Sequence, residues 1–275
     1  MRLQVIIAGL GLALAAGAAQ AAEVEIKDAV ARVTVIPEAR TDIKVEFLTT
    51  NPQLPLEVRT MGGKTIIDGD LDRKIRNCNS EGGHVSVRVG GVGTIRYEDM
   101  PQVVIRTPKD AEIEAGGAVF GTVGKSASLE LSNAGCGDWT VANVEGRLKL
   151  NQAGSGDSKV GSAGQATLRV AGSGDIKTQD IRGALDIDIA GSGDVWSASV
   201  SGPLDVKIAG SGGVTVAGGQ ADAMTVSVAG SGDVSFGGAA QSLKARIAGS
   251  GDVHVKSVKG EVSKSIVGSG GVTIG

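Results

Sequence analysis

Three observations predict an all-β chain wound as a parallel β-helix with about 19 residues per coil. First, Gly-Ser-Gly-Asp or a close variant recurs eight times, starting at Gly135, Gly154, Gly172, Gly191, Gly210, Gly230, Gly249 and Gly268, with spacings of 19, 18, 19, 19, 20, 19 and 19 residues. A fixed period of this size marks stacked equivalent units, each covering its neighbour's apolar face. Second, the segment before each motif alternates: Leu185, Ile187 and Ile189 are interleaved with Asp186 and Asp188, the period of a half-buried strand. Third, the segment after each motif repeats two inward places (Val214 and Val216, Val234 and Phe236, Val253 and Val255) and then a third apolar contact at Val144, Ala163, Ile181, Val200, Ala239 or Val258. Three apolar sides per repeat give a roughly triangular coil. A ladder of β-hairpins is the main competitor, but antiparallel neighbours would not place like residue on like. Eight coils at a strand spacing of about 4.8 Å extend roughly 38 Å.

The elements follow in chain order. Residues 1–21 read as a signal peptide. Arg2 gives the positive start, Leu3 to Ala16 the apolar run, and Ala19-Gln20-Ala21 an A-x-A site, so cleavage is expected near Ala21. No later stretch is long and apolar enough to span a bilayer as a helix. Residues 22–110 lack the clean period but carry strand-like alternation at 30–36, 43–47, 56–58 and 85–89, punctuated by Pro52, Pro55, Gly62-Gly63 and Gly82-Gly83. They are expected to form irregular coils or a cap over an otherwise open end. The repeats occupy 111–275, with Ile113-Glu-Ala-Gly-Gly117 as a degenerate first copy. Lys264 stands where the last coil calls for an inward apolar residue. That coil is expected to face solvent or a partner, and self-association through it is one outcome.

Composition excludes some classes. Residues 23–115 carry 13 Lys or Arg against 16 Asp or Glu, and residues 116–275 carry 13 against 14, so neither half has the basic footprint of a nucleic-acid binder. Aromatic residues are too scarce for a row of stacking platforms, leaving Trp196 as the one outward aromatic on the repeats. High glycine with a strict period and plentiful Val, Ile and Leu indicates turns rather than disorder. Export permits a disulfide between the two cysteines, Cys78 and Cys136, the latter standing where other copies have Ser.

The corner motif has two readings. Stacking lines up Asp138, Asp157, Asp175, Asp194, Asp233 and Asp252, and a column of carboxylates invites calcium. Yet Gly213 and Gly271 replace the Asp in two copies, an exchange that a turn tolerates and a ligand position does not. A phosphate-binding loop is rejected because no helical period follows any copy. No cofactor is expected. Asp186, Asp188 and Asp205 form a local acidic cluster beside Lys207 and Arg169, read as a salt-bridged face and, second, as the acids of a polysaccharide-active enzyme or a binding site with Trp196. His84 and His254 are far apart, and no motif joins either to a nucleophile.

The tandem Ala-Gly-Ser-Gly-Asp-Val units, preceded by Val104-Ile-Arg-Thr-Pro-Lys-Asp-Ala-Glu-Ile-Glu-Ala-Gly-Gly117, resemble the head GIN domain family over roughly residues 30–275. These are secreted bacterial proteins labelled auto-transporter adhesins. The resemblance implies a right-handed β-helix outside the cytoplasm: periplasmic, associated with the outer membrane, or at the cell surface. It brings no catalytic residues. The expected function is a non-enzymatic adhesive or scaffolding solenoid whose partner is an envelope protein, a cell surface or a glycan. The competing function is a β-helix that binds or cleaves carbohydrate.

Overall fold

A computed structural model describes residues 22–79 and 85–275; the signal segment with its cleavage site, and His84, lie outside the described residues. The chain is an all-β parallel solenoid of about nine turns with a spacing near 19 residues. Its long face is built from strands β10 (Ser128–Gly135), β12 (Val144–Gly154), β14 (Ala163–Gly172), β16 (Leu185–Gly191), β18 (Leu204–Gly210), β21 (Met224–Gly230), β23 (Leu243–Gly249) and β25 (Val262–Gly268). Its short face is built from β11 (Trp139–Val141), β13 (Ser158–Val160), β15 (Ile176–Ile181), β17 (Val195–Ser201), β19 (Val214–Val216), β22 (Val234–Ala240), β24 (Val253–Val258) and β26 (Val272–Ile274), with β20 (Gly219–Ala221) completing one coil. Every pairing between these strands is parallel and places repeat on repeat: Leu185 on Leu204, Ile187 on Val206, Ile189 on Ile208, Gly191 on Gly210.

Alternation decides what is inside. Leu185, Ile187 and Ile189 are 1–2% exposed, while Asp186 points outward between them. Each buried branched or aliphatic side chain contributes about 1.5–3 kcal/mol of transfer free energy, and the stack repeats that contribution coil after coil. The third apolar contact is filled as expected by Val144, Ala163, Ile181 and Val200, all fully buried. One place differs. In β22 the inward residue is Ala240, paired with Ala221 and Val258, and Ala239 lies between inward positions. The Gly237-Gly238 step shifts the register there, and the sequence spacing alone does not reveal which of two adjacent alanines turns in.

The period ends near residue 110, but the stacking does not. Strand β1 (Ala22–Glu38) lies parallel on β9 (Asp110–Val123) from Ala22 on Ala111 to Val35 on Val123, so β1 is already a coil of the solenoid. The intervening segment holds β2 (Lys44–Thr49), β3 (Glu57–Met61), β4 (Lys64–Asp68), β5 (Ile75–Asn79), β6 (Ser86–Val89), β7 (Gly93–Arg96) and β8 (Gln102–Pro108). Strands β4 and β8 stack parallel on the other side of β1, and β3 and β2 then pair antiparallel on β4 and β8. The long-face column therefore runs from β3 to β25 and the short-face column from β2 to β26. Strands β5–β7 form a separate antiparallel sheet. It covers the outward residues Val30, Ala118 and Phe120 with Val87, Val89 and Ile95, a second small core. A disulfide between Cys78 and Cys136, with Cα atoms 6.1 Å apart, fastens this sheet to the first complete corner of the repeats.

Candidate functional site

The Gly-Ser-Gly-Asp corner is a hydrogen-bonding device that runs between coils. The first glycine of the copies from Gly154 onward has φ between +126° and +143°, a conformation that side chains rarely adopt. Its carbonyl accepts two N–H groups of the next corner: Gly172 O receives Ser192 N at 2.9 Å and Gly193 N at 3.2 Å. The second glycine is needed for a different reason. A Cβ on Gly193 would run into Gly174 O of the coil below. The Asp then supplies the remaining acceptor. Asp138 Oδ1 receives Asp157 N at 2.9 Å, Asp157 Oδ1 receives Asp175 N at 2.9 Å, and Asp175 Oδ1 receives Asp194 N at 2.8 Å. Asp194 Oδ1 receives Gly213 N, Asp233 Oδ1 receives Asp252 N, and Asp252 Oδ1 receives Gly271 N at 2.6–2.8 Å.

This geometry gives the Asp–Gly exchange a basis other than left-handed backbone. The Asp places are not in the left-handed region. Gly213 and Gly271 are tolerated because glycine still donates its own N–H to the preceding Asp and only fails to accept from the next coil. Among the described residues, the one group of three acidic ligands with atoms within 4.8 Å of one another is Glu23, Glu112 and Glu114, away from the corner column. There Lys64 already supplies the cation, with Nζ 2.7 Å from both Glu23 and Glu114 and 3.3 Å from Glu25. Those hydrogen bonds, Glu114 first, hold the Lys64 pKa far above the ordinary lysine value. Glu112 lies outside that embrace. Burial, then the charges of Glu130, Glu23 and Glu114, push its pKa up. The cluster escaped the sequence reading because Glu23 and Glu112 meet only through the pairing of β1 with β9.

The outward residues of the long face form charge columns. Arg169, Asp188 and Lys207 are stacked, with Arg169 Nε 3.5 Å and Lys207 Nζ 3.8 Å from the Asp188 carboxylate. Lys207 also forms an ion pair with Asp205 at 2.9 Å, and that contact is the main cause of its raised pKa. Asp186 sits in register on Asp205. The three acids are thus brought together, and two of them are held by cations. Beside them the exposed alanines Ala153, Ala171, Ala190, Ala209 and Ala229 form a stripe that floors an open groove of about 500 Å³.

On the short face one outward column reads Thr140, Lys159, Lys177, Trp196, Thr215, Ser235 and His254. Trp196 is half-buried rather than free, with Lys177 Nζ 4.8 Å from its ring centroid. Farther along the stack Arg32 lies 5.1 Å over Tyr97, whose ring meets Phe120 edge-on at 5.6 Å. Residues such as Arg32, Tyr97 and Asp138 line a hollow of about 300 Å³ that no local motif announces, because several stretches of chain far apart in sequence build it.

These features define a parallel β-solenoid whose polar side chains mostly tie one coil to the next. The family model described as "Putative auto-transporter adhesin, head GIN domain" matches residues 67–219 and 182–275, and the chain belongs to that family. No curated protein matches the chain. Among solved structures it is similar to a protein of Parabacteroides distasonis described as a putative lipid binding protein, with 22% identity and a TM-score of 0.54 over 93% of this chain and 92% of that one. It is also similar, at 16% identity and a TM-score of 0.43 over 93% of each chain, to a putative adhesin of Bacteroides fragilis. At these identities the likeness concerns the fold alone.

Proposed function

We propose that this chain is an exported, non-enzymatic β-solenoid of the bacterial envelope that acts as an adhesive or scaffolding module. The observation that carries this reading is the commitment of its acidic side chains to the stack. Six corner carboxylates accept backbone N–H groups of the following coil, and Asp188 and Asp205 are held by Arg169 and Lys207. A general acid or nucleophile needs a carboxylate free to change its protonation or its bonding during a reaction; a rigid contact surface needs the opposite. Family membership agrees with an adhesive role. The test is protease treatment of intact and permeabilised cells, combined with binding of the purified protein to cells. Digestion on intact cells and saturable cell binding support a surface adhesin. Protection until the outer membrane is opened supports a periplasmic scaffold. A protein that stays in the cytoplasm, or that shortens a polysaccharide, overturns the reading.

A second reading has its own observation: Trp196 lies in one column with Lys177 and Lys159, an aromatic plane next to two cations, which is the chemistry of an acidic glycan contact. Loss of affinity for a soluble acidic polysaccharide in Trp196→Ala, with folding unchanged, supports it; equal binding by both proteins removes it.

A further inference from the structure

We infer that the solenoid assembles head to tail with second copies of itself, the β25–β26 end of one copy stacking on the β2–β3 end of the next. The inference deepens the scaffolding reading and rests on it only in treating the ends as contact surfaces.

The exposed large apolar side chains are sorted by position. Among the described residues they are Tyr97 and two groups of four. One group is Phe47 and Leu48 on β2 with Val58 and Met61 on β3. The other is Val262, Ile266 and Val267 on β25 with Ile274 on β26. Met61 is 65% and Val267 73% exposed. The long lateral columns carry none of them. A soluble surface scatters such residues singly, and their collection at two opposite ends marks two contact faces.

The occupant follows from how the ends match. Among the described residues, strand β25 pairs only with β23, and β26 only with β24, so each presents there a row of unpaired N–H and C=O groups. The same holds for β3 on β4 and β2 on β8 at the other end. Such edges template further strand pairing. In a head-to-tail stack, β25 meets β3 of the next copy on the long face while β26 meets β2 on the short face, so both columns continue across the junction. Followed through the registers, Ile266 then falls on Val58, Val272 on Phe47 and Ile274 on Val45, with Val267 and Met61 flanking the junction. Charge selects this arrangement over a twofold pairing of two β25 edges. Lys264 lies in register on the buried Ala245, at the middle of the exposed end, with its Nζ 3.0 Å from Val272 O. Twofold pairing would set two such ammonium groups face to face in an apolar junction, which is costly. Head-to-tail pairing instead sets Lys264 on the column of Thr65 and Thr60, against a hydroxyl rather than a second ammonium group. A heterologous contact of this kind does not close on itself and produces open rods.

The experiment uses the chain from Ala22 onward and two exposed-site variants, Val267→Asp and Met61→Asp, followed by sedimentation as concentration is raised. The unsubstituted chain is expected to grow without a fixed end state, and each variant alone to stay monomeric, since each spoils one half of every junction. Mixing the two variants is expected to restore dimers and nothing larger, because one intact β2–β3 end and one intact β25–β26 end remain. An unsubstituted chain that stays monomeric up to about 100 μM, where a weak 10 μM contact would be mostly formed, overturns the inference. So does a dimer that persists in Met61→Asp alone. A monomer that still binds cells would sink the assembly and leave the adhesive function standing.

Discussion

Gly213→Asp fills the missing rung of the corner column. Gly213 donates its N–H to Asp194 Oδ1 at 2.6 Å but offers no side-chain acceptor to Asp233, one coil on. Its φ is outside the left-handed region, and an added Cβ would meet Asp194 Oδ1 at 3.3 Å and Asp233 O at 3.6 Å, so a side chain fits with a small adjustment. A new Asp at 213 is expected to accept Asp233 N–H as Asp194 now accepts Gly213 N–H. That hydrogen bond contributes about 1 kcal/mol at an exposed corner. Replacing glycine restricts the unfolded chain and adds about 0.4–1 kcal/mol. Against this stand two neighbouring carboxylates one strand spacing away, each costing somewhat under 1 kcal/mol in water and less in salt. The terms nearly cancel at low salt and leave a net gain of about 0.5–1 kcal/mol near physiological ionic strength, where the repulsion is screened. Denaturant unfolding of Gly213→Asp, Gly213→Asn and Gly213→Ala at low and high salt measures it. Asn is expected to match or exceed Asp at low salt, because it keeps the acceptor without the charge. If Ala stabilises as much as Asp and Asn, the carboxylate-to-backbone ladder contributes nothing and the reasoning fails. Millimolar calcium is expected to leave the transition unmoved; a calcium-dependent gain that Asp175→Asn abolishes would restore the metal reading of the column.

Three further predictions follow from other parts of the stack. Cys136→Ser opens a loop spanning 58 residues, and the chain-entropy model gives a loss of about 4 kcal/mol, read as earlier unfolding of the β5–β7 sheet by hydrogen exchange. Gly121→Ala places a methyl group inside the Trp139 ring on the neighbouring coil, and overpacking there is expected to cost about 1–3 kcal/mol in thermal or denaturant unfolding, with a changed near-ultraviolet tryptophan signal. Glu112 has a raised folded-state pKa, so its ionised form is disfavoured by folding; the penalty is full above that pKa and vanishes below the unfolded one. Glu112→Gln is therefore expected to stabilise the protein at neutral pH, and the difference from the parent should shrink as pH falls through the acid range; a difference independent of pH would contradict the assignment.

The coil was legible because each turn repeats one set of local choices: apolar residues at Leu185, Ile187 and Ile189, a glycine that turns left at Gly191, and a fresh strand at Val195. Stacking needs no information beyond the period. The order of the N-terminal strands was not legible, because β8 and β9 lie on opposite sides of β1 although only Lys109 separates them in the chain. No local pattern distinguishes the two sides of a strand edge. The Asp of the corner was visible as a residue but not as an acceptor, since its donor belongs to the next coil, 18 or 19 residues later. On the long face spacing alone puts Asp188 beside Lys207 and Asp186 beside Asp205, since each pair occupies the same place one repeat apart. The Lys64 cluster depends on a fold-back that spacing does not encode.

The placement of β1 also dictates a timetable. Neighbouring repeats close loops of about 19 residues, whereas Thr34 and Thr122, which lie side by side on β1 and β9, are 88 residues apart. Loop-closure entropy makes the longer join about 1.4 kcal/mol harder before any contact rewards it. In a chain emerging N-terminus first, the strand that leads is thus the one obliged to wait. One of its edges can be covered early, by β4 at Thr65 and by β8 at Gln102, but the other edge stays open until β9 has followed, while the later coils wind up on one another as they appear. The edge of β1 that faces β9 is therefore the one left open longest, and it closes only when the first repeat arrives.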